Sequence, residues 1–284
     1  MSMQTGRLYV VATPIGNLGD ITRRAVEVLR AVELVAAEDT RRTAMLLNHL
    51  GIEAKLLSFH EHNEQQRSQR LIELLLAGSD VALVSDAGTP LISDPGYGIV
   101  SACREQGIPV VPIPGVSAVI AALSASGLPT DRFLFQGFLP RTREKRLRSL
   151  RQLVDTCATL VFYESSHRIV QSLQDMVTVF GRQRRTVLAR ELTKQYETFI
   201  DLPLAQLLTK VTAEGDQQRG EFVVMVAPAA RASGEHGSSG ELLQLLAEEL
   251  PPHQAARIAA RISGRPKREL YTQLMKIRNG VDAK

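Results

Sequence analysis

The feature that most constrains the fold is the alternation of short apolar runs with helix-length segments over the first 114 residues. Strands that are apolar throughout are buried on both faces of a sheet, and strands separated by helices pair in parallel. Residues 1–114 are therefore predicted to form an α/β domain with a mainly parallel sheet, covered on both faces. The predicted strands are Leu8–Ala12, Leu34–Ala37, Lys55–Phe59, Asp80–Ser85 and Ile108–Ile113. The predicted helices are Ile21–Ala31, Thr40–Leu50, Glu64–Ala77 and Gly96–Gln106.

The pattern changes near Pro114-Gly115. Two strand patterns, Thr186–Leu192 and Tyr196–Asp201, then follow each other closely, and strands so close in sequence pair as an antiparallel hairpin. Residues 115–228 are therefore predicted to form a second α/β domain with a mixed sheet. Its other predicted elements are the helices Ser117–Ser126, Thr142–Val154, Ile169–Phe180 and Leu204–Val211 and the strands Arg132–Phe138, Ala158–Tyr163 and Glu221–Ala227.

A small helical region is predicted at the end of the chain. Residues 229–240 are rich in Gly, Ser and Ala, which is typical of a flexible linker, and residues 241–284 follow with helical patterns. A helix of small residues ends at Ser263-Gly264, and the next helix starts at Pro266, a residue suited to the first helical position. Glycine in the turn between two short helices is typical of a helix-turn-helix unit.

The positive charge of the chain is concentrated in this tail. The net charge is +4, but residues 251–284 hold eight Lys or Arg against two Asp or Glu, which leaves −2 for the remainder. A near-neutral body with a basic tail is typical of an enzyme that contacts a polyanion, although a tail that only aids solubility has the same composition. Arg265, Lys267 and Arg268 open the second tail helix and suit phosphate contacts, with a helical hairpin that docks on protein as the alternative.

Several classes of protein are excluded by composition. Hydrophobic residues make up 44% and charged residues 23%, as in ordinary globular domains, and no apolar run approaches the roughly 18 residues that cross a bilayer. The N-terminus has no signal-peptide pattern, so we expect a cytoplasmic protein without membrane contact. Cys103 and Cys157 lie far apart, and His60 and His62 lack a third placed ligand, so neither a disulfide framework nor a metal site is expected.

The loops after the strands should carry the chemistry, since ligands of open α/β sheets bind at the carboxyl ends of strands. Neither GxGxxG nor GxxxxGK[ST] occurs, which argues against a nicotinamide dehydrogenase and a P-loop nucleotidase. After the fourth strand, Gly88 allows close approach of backbone to a ligand, and Asp86 could hold an ammonium or hydroxyl group. Asp94 could face the same cleft or only cap a helix that begins at Pro95.

Eight motifs add a resemblance to a known family. In chain order they are ATPIGNLGDIT, EDTRRT, SFHEHNE, VSDAGTPLISDPG, PGVSA, FQGFLP, FYESSHRI and ARELTKQYE. Together they resemble the tetrapyrrole-methylase-like family, and within it the ribosomal RNA ribose methyltransferase branch, over roughly Gly6 to Pro228; the helical tail also resembles that branch. The resemblance implies S-adenosylmethionine bound between the two α/β domains of a homodimer. It also implies methyl transfer to the ribose 2′-oxygen of a cytidine in small-subunit ribosomal RNA at the decoding centre.

The resemblance further implies which residues contact the cofactor. The ATPIGN loop stands where porphyrin-modifying relatives have a glycine-rich loop, the loop after the fourth strand holds the cofactor by its backbone, and the second domain closes over the adenosine. The implied contacts are Pro14, Ile15, Asp86, Ala87, Gly88, Thr89, Asp94, Ser117, Ala118, Tyr163, Leu192 and Pro228. Ser166 departs from the family, whose members often have proline there, and this bears on the shape of its loop.

A ribose hydroxyl is a weak nucleophile, so a base or a charge that stabilises the alkoxide is expected beside it. The candidates are His60, His62, Glu38, Asp39, His167, Glu191 and Lys194. We favour Glu191 and Lys194, which flank the end of a strand, and keep His167 as a third choice. Each of them could instead be a salt-bridge partner.

Clusters of basic residues are predicted to contact RNA, with a solvated helix face as the alternative. The predicted contacts are Arg41, Arg141, Arg143, Lys145 and Arg146, with Arg148 on the same helix, a second cluster at Arg182, Arg184 and Arg185, and the three tail residues. Aromatic residues make up only 5%, so base stacking is not expected to dominate. Two other functions stay open: a small-molecule methylase that acts on a porphyrin-like precursor, and a noncatalytic RNA-binding factor on the same fold.

Overall fold

The computed structural model describes residues 5–229, 243, 245–263 and 266–278, which belong to two compact units divided between Ala229 and Ala230. The first unit holds two five-stranded sheets. The boundary near residue 114 stays a prediction, because both sheets belong to that one unit. The predicted linker lies outside the described residues apart from Ala229.

The first sheet is parallel throughout, which confirms the predicted, mainly parallel sheet, and its strand order is β3-β2-β4-β1-β5. Its strands are β1 (Leu8–Val11), β2 (Leu34–Ala37), β3 (Lys55–Ser58), β4 (Val81–Val84) and β5 (Val110–Ile113). Its helices are α1 (Arg23–Ala31), α2 (Thr40–His49), α3 (Glu64–Leu76) and α4 (Tyr97–Glu105). Every predicted element of this sheet is confirmed, with ends that differ by no more than two residues.

The helices of the first sheet divide between its two faces. Helices α1 and α2 pack with Val11 and Val35 on one face, whereas α3 and α4 pack with Leu8 and Leu83 on the other. Since α1 follows β1 and α4 follows the neighbouring β4, the chain leaves these strands toward opposite faces. A crevice opens where the direction of winding changes in this way, and it places the loops after β1 and β4 at a ligand site.

The second sheet is mixed, in the order β6-β7-β10-β8-β9. Strands β6 and β7 are parallel and the other pairs antiparallel, which confirms the predicted hairpin as β8 and β9. Its strands are β6 (Phe133–Phe138), β7 (Thr159–Ser165), β8 (Arg185–Arg190), β9 (Thr198–Pro203) and β10 (Glu221–Val226). Its helices are α5 (Ala118–Ser126), α6 (Arg143–Arg151), α7 (Ile169–Phe180) and α8 (Leu204–Ala213).

The two faces of the second sheet are covered differently. Helices α6, α7 and α8 pack on one face, whereas α5 packs on the other, together with Ile15 from the loop after β1. The first sheet is joined to the second through this apolar cluster, which also includes Tyr163 and Leu192. The crevice of the first sheet is therefore closed on one side by residues of the second.

The second unit contains α9 (Pro252–Ser263) and α10 (Lys267–Arg278), which confirms two short helices in the tail. Apolar residues of both helices, among them Ala255, Ala259, Leu270 and Leu274, form a small core of their own. Gly264 and Arg265 lie outside the described residues. No helix in the described part of the chain is both long and apolar enough to span a bilayer.

Candidate functional site: the cavity at the strand ends

A cavity of about 430 Å³ lies at the carboxyl ends of β1, β2 and β4, beside the second sheet. Its size is within the range of small-molecule sites. From the first sheet and the start of α5 it is lined by Ile15, Glu38, Arg42, Asp86, Ala87, Gly88, Thr89, Ile92, Ser93, Asp94, Ser117 and Ala118. From the second sheet it is lined by Phe138, Tyr163, Glu164, Ser165, Ser166, Leu192, Gly220, Glu221, Phe222 and Val223.

The loop after β4 is held by backbone contacts at the base of the cavity. Thr13 and Gly88 exchange two backbone hydrogen bonds, of 2.9 and 3.0 Å, so the loops after β1 and β4 are tied together. Further along, Leu91 and Ser93 have φ angles of 72° and 70°, a left-handed conformation that non-glycine residues rarely adopt. Strain of this kind concentrates at functional sites, where the surrounding structure maintains it.

Three carboxylates, Glu38, Asp86 and Asp94, form what we call the acidic wall. The side chain of Asp86 accepts a hydrogen bond from the backbone N–H of Asp39 (2.9 Å), and the backbone N–H of Asp86 donates to Glu38 Oε2 (3.2 Å). Burial, reinforced by the charges of Glu38 and Asp86, raises the pKa of Asp94 to about 6, although a hydrogen bond with Ser85 acts in the opposite direction. Arg42 lies 3.3 Å from Asp86 and offsets part of this negative charge.

The opposite side, from the second sheet, combines an apolar patch with two further carboxylates, Glu164 and Glu221. Leu192, Phe222 and Val223 are nearly buried, and Phe138 meets Tyr163 edge to face with ring centroids 5.6 Å apart. Burial, together with the nearby Asp94 carboxylate, raises the pKa of Tyr163 to about 12, so its phenol is neutral at physiological pH. A cavity with several carboxylates and an apolar patch fits a ligand that carries positive charge at one end and a flat apolar group at the other.

Comparison with known proteins identifies the family. Residues 7–208, most of the first unit, match the family model for Tetrapyrrole (Corrin/Porphyrin) Methylases. The chain belongs to the tetrapyrrole methylase family. Residues 239–278 match a second model, the RsmI C-terminal HTH domain, in agreement with the predicted helix-turn-helix unit. The chain is thus a methyltransferase that uses S-adenosylmethionine, and the charge of the acidic wall suits the sulfonium of that cofactor.

Curated relatives match nearly the whole chain of this methylase. Ribosomal RNA small subunit methyltransferase I of Pseudomonas aeruginosa is 53% identical over 96% of this chain and 98% of its own length. The protein of the same name from Escherichia coli O157:H7 is 51% identical over 94% of this chain and 93% of its own length. In fold, the methylase is similar to uroporphyrin-III C-methyltransferase from Thermus thermophilus complexed with S-adenyl homocysteine, at 19% identity and a TM-score of 0.54 over 80% of this chain and 99% of that one.

Most of the residues predicted to contact the cofactor of the methylase lie together. The cavity brings together Ile15, Asp86, Ala87, Gly88, Thr89, Asp94, Ser117, Ala118, Tyr163 and Leu192. Pro14, the residue before Ile15, is not among the lining residues. Pro228 is not among the lining residues: it follows the end of β10 opposite to the lining residues Glu221, Phe222 and Val223, and its contact with the cofactor stays a prediction.

The favoured catalytic pair of the methylase is not among the lining residues and forms an ion-pair cluster with Glu221, and its catalytic role stays a prediction. Lys194 Nζ lies 2.9 Å from Glu191 Oε1 and 2.9 Å from Glu221 Oε2, and the backbone N–H of Glu221 also donates to Glu191. Burial alone would raise the pKa of Glu191, but hydrogen bonds from Lys194 and the Glu221 backbone lower it. Burial alone would lower the pKa of Lys194, but its hydrogen bonds to the carboxylates of Glu221 and Glu191 raise it. Both groups stay charged and paired at neutral pH, which makes each a poor base, whereas the charged form of Lys194 is the one that would stabilise an alkoxide.

Two other candidate bases also stand outside the cavity lining. His167 is exposed in the turn after β7, next to the lining residue Ser166. Asp39 caps α2: its side chain accepts from the backbone N–H of Arg41 at 2.9 Å and pairs with the Arg41 guanidinium. Among the candidates, Glu38 lines the cavity.

The predicted RNA contacts divide into exposed and buried side chains. Arg146 was wrongly predicted: its guanidinium is 2% exposed, lies 2.8 Å from the equally buried Asp175, and donates to the carbonyls of Pro140 and Arg141. Arg143 also pairs with Asp175, at 3.0 Å, but is largely exposed. The predicted contacts Arg41, Arg141, Lys145, Lys267 and Arg268 are exposed, whereas Arg265 lies outside the described residues.

Arg42 and Phe138 are among the lining residues that sequence reasoning did not single out. Arg42 stands beside Arg41 in the EDTRRT motif, and the turn of α2 decides which of the two faces the cavity. Phe138 belongs to the FQGFLP motif, where a glycine directly before an aromatic residue in a strand was the available signal for a bulge.

Proposed function

We propose that this methylase transfers a methyl group to the 2′-oxygen of a cytidine ribose in small-subunit ribosomal RNA, near the decoding centre. The near-full-length similarity to proteins named ribosomal RNA small subunit methyltransferase I is the observation that carries the proposal. The basic residues exposed on the tail helices and near the start of α6 support it. S-adenosylmethionine, when bound, supplies an electrophilic methyl group on a positively charged sulfur.

The residues at the strand ends would hold that cofactor. Gly88, with a φ of 81°, exposes backbone beside Ile15, and Ser117 and Ala118 offer a small-residue surface at the start of α5. The acidic wall complements the cationic end, and Leu192 and Tyr163 complement the adenosine. Alignment of a donor and an acceptor in one cavity is by itself a large contribution to rate.

Glu38 is the residue we assign to the ribose hydroxyl. Of the candidate bases it lines the cavity, and one of its oxygens, Oε2, accepts from the backbone N–H of Asp86, which fixes the orientation of the carboxylate. The carboxylate would accept the proton from the 2′-oxygen as the new carbon–oxygen bond forms, and the electron pair of the broken carbon–sulfur bond would leave with S-adenosylhomocysteine. Positioned acid–base groups contribute typically about 10²–10⁴-fold to the rate.

The substrate and the assembly complete the proposal. We infer that the substrate is ribosomal RNA or the assembled small subunit, that the methylase acts in the cytoplasm, and that it works as a homodimer, as the resemblance implies. Light scattering on the full chain tests the dimer: a single species at the mass of one chain would refute it.

The function is tested by mapping ribose methylation in small-subunit RNA from cells with and without the gene. The expected result is one 2′-O-methylcytidine that disappears on deletion and returns with the wild-type gene. Glu38→Gln should fail to restore it, whereas Glu61→Gln, an exposed acid of the following loop, should succeed. An unchanged ribose-methylation map on deletion would refute the proposal, and methylation of a porphyrin-like compound would favour the small-molecule alternative.

A further inference from the structure

Phe138 is the most exposed large apolar residue of the cavity lining. It is 55% exposed, whereas Leu192, Phe222 and Val223 are 8% exposed or less. Its ring therefore lies at the rim of the cavity and not in its interior. A ligand that covers this ring is therefore bound at the entrance of the cavity and remains connected to the solvent.

A β-bulge turns Phe138 toward the cavity. Phe135 pairs with Val161 and Phe138 with Tyr163, so β6 has one residue more than β7 over this interval. Side chains alternate between the faces of a strand, and Phe138 without the extra residue would point away from Phe135. With it, both rings contact Tyr163 edge to face, at centroid distances of 4.9 and 5.6 Å.

The bulge is also fitted to the cavity loop. Gly137 has a φ of 71°, and a Cβ at this position would lie 3.2 Å from Ser93 Oγ. The left-handed Ser93 therefore packs close to the backbone of the bulge. Bulges next to active sites commonly redirect one side chain, and here the redirected side chain is Phe138.

The position of the ring indicates which ligand it meets. A free cofactor can enter the interior and bury most of its surface there. A nucleotide within an RNA strand must instead enter from the rim and remain attached to its neighbours. The acidic wall, on the first sheet, suits the cationic end of the cofactor, whereas Phe138 is an uncharged flat surface at the entrance.

We propose that Phe138 is the surface on which the base of the target nucleotide stacks while its ribose reaches into the cavity. This rests on the proposed function, because it presupposes an RNA substrate. Single-stranded RNA is commonly recognised by bases that leave their stack and lie on aromatic side chains. One ring serves one nucleotide, so the low aromatic content of the chain is no obstacle.

The test compares Phe138→Ala with Phe133→Ala in the full chain. Phe133 lies at the other end of β6, is 43% exposed, and is not among the lining residues, so it controls for the loss of an exposed ring from the same edge strand. Binding to small subunits from a strain that lacks the gene is measured at one fixed salt concentration. Binding of S-adenosylmethionine is measured separately by calorimetry.

Phe138→Ala is expected to weaken binding to the subunits about tenfold, since stacking of one base contributes typically about 5- to 100-fold in affinity. Phe133→Ala should remain within about twofold of wild type. Phe138→Trp should retain affinity, whereas Phe138→Leu, which keeps the apolar volume without a ring, should behave like the alanine variant. Cofactor affinity should be unchanged in all four variants.

Two results would overturn the inference. Equal affinities of Phe138→Ala and Phe133→Ala for the subunits would show that the ring does not contact the RNA. A loss of cofactor affinity in Phe138→Ala, with subunit binding intact, would show that the ring covers the adenine instead. Both readouts are binding measurements, so they test the stacking role of Phe138 alone. The proposed function is tested separately, by identifying the atom that the wild type methylates.

Discussion

Protonation of Asp94 should control the affinity of the methylase for its cationic cofactor. With a pKa of about 6, Asp94 is about nine-tenths ionised at pH 7 and about one-tenth ionised at pH 5. If the sulfonium binds the ionised form, the apparent affinity for S-adenosylmethionine falls about tenfold between these values, which corresponds to about 1.4 kcal/mol. The charged and titratable groups in the lining around Asp94 are Glu38, Asp86, Arg42, Tyr163, Glu164 and Glu221.

Calorimetric titrations from pH 5 to pH 7 measure this effect, and S-adenosylhomocysteine is the matched control. It keeps the amino acid and the adenosine but has a neutral sulfur, so its affinity should depend much less on pH in this interval. Asp94→Asn should lower the affinity for S-adenosylmethionine at pH 7 and remove most of the pH dependence. Equal pH dependence for the two ligands, or an unchanged slope in Asp94→Asn, would refute the role of this carboxylate.

The same pKa makes a prediction about stability whose sign is opposite to that of an ordinary paired carboxylate. Folding raises the pKa of Asp94, so the folded protein holds the proton more tightly and the ionised form destabilises it. Asp94→Asn should therefore raise the melting temperature above pH 6. This gain should diminish as the pH falls from about 6 to about 4, and a gain that is equal at pH 4 and pH 8 would contradict the argument.

Three further predictions concern packing and charge. Arg146→Met should lower the free energy of unfolding by about 3–5 kcal/mol, because it leaves the buried Asp175 with only an exposed partner. Arg148→Ala on the same helix should lower it by less than about 1 kcal/mol. Similar losses for the two variants in thermal unfolding would contradict this. Gly220→Ala should destabilise more than Gly51→Ala: both glycines have positive φ, but a Cβ at Gly220 would clash with the Glu191 carboxylate and one at Gly51 meets open space. Affinity for small subunits should fall steeply with salt, whereas affinity for the cofactor should not, and parallel salt slopes would argue against phosphate contacts.

Sequence patterns predicted the helices and strands well because the spacing of apolar residues differed clearly between helical and strand segments. The strands of the first sheet are apolar on both faces, and the loops that follow them had to meet at one edge of a parallel sheet. This is why Asp86, Gly88 and Ser117, which are distant in sequence, were correctly grouped in one cavity. The order of the strands, and therefore the position of the crevice between β1 and β4, needed the structure.

The residues whose ion-pair partners the sequence did not reveal depend on pairings between distant segments. Arg146 shares the buried stripe of α6 with Leu150, a spacing of four residues that the sequence does show, but its partner Asp175 lies on another helix. Glu191 and Lys194 are joined by Glu221, which is brought to them by the pairing of β10 with β8. In both cases, charged residues that are close in sequence pair with a charged residue from a distant segment. Only the position of that partner distinguishes a structural ion pair from a ligand contact.

The charge of the cavity determines which part of an RNA can enter it. Arg42 is the one cation among the lining residues that the structure describes, and it is paired with Asp86 at 3.3 Å. A phosphate in the cavity would therefore face the acidic wall and be repelled by it. The phosphates must remain outside, where Arg141 is exposed three residues beyond Phe138. The wall that attracts a positively charged methyl donor thus admits only the uncharged parts of a nucleotide, its sugar and its base.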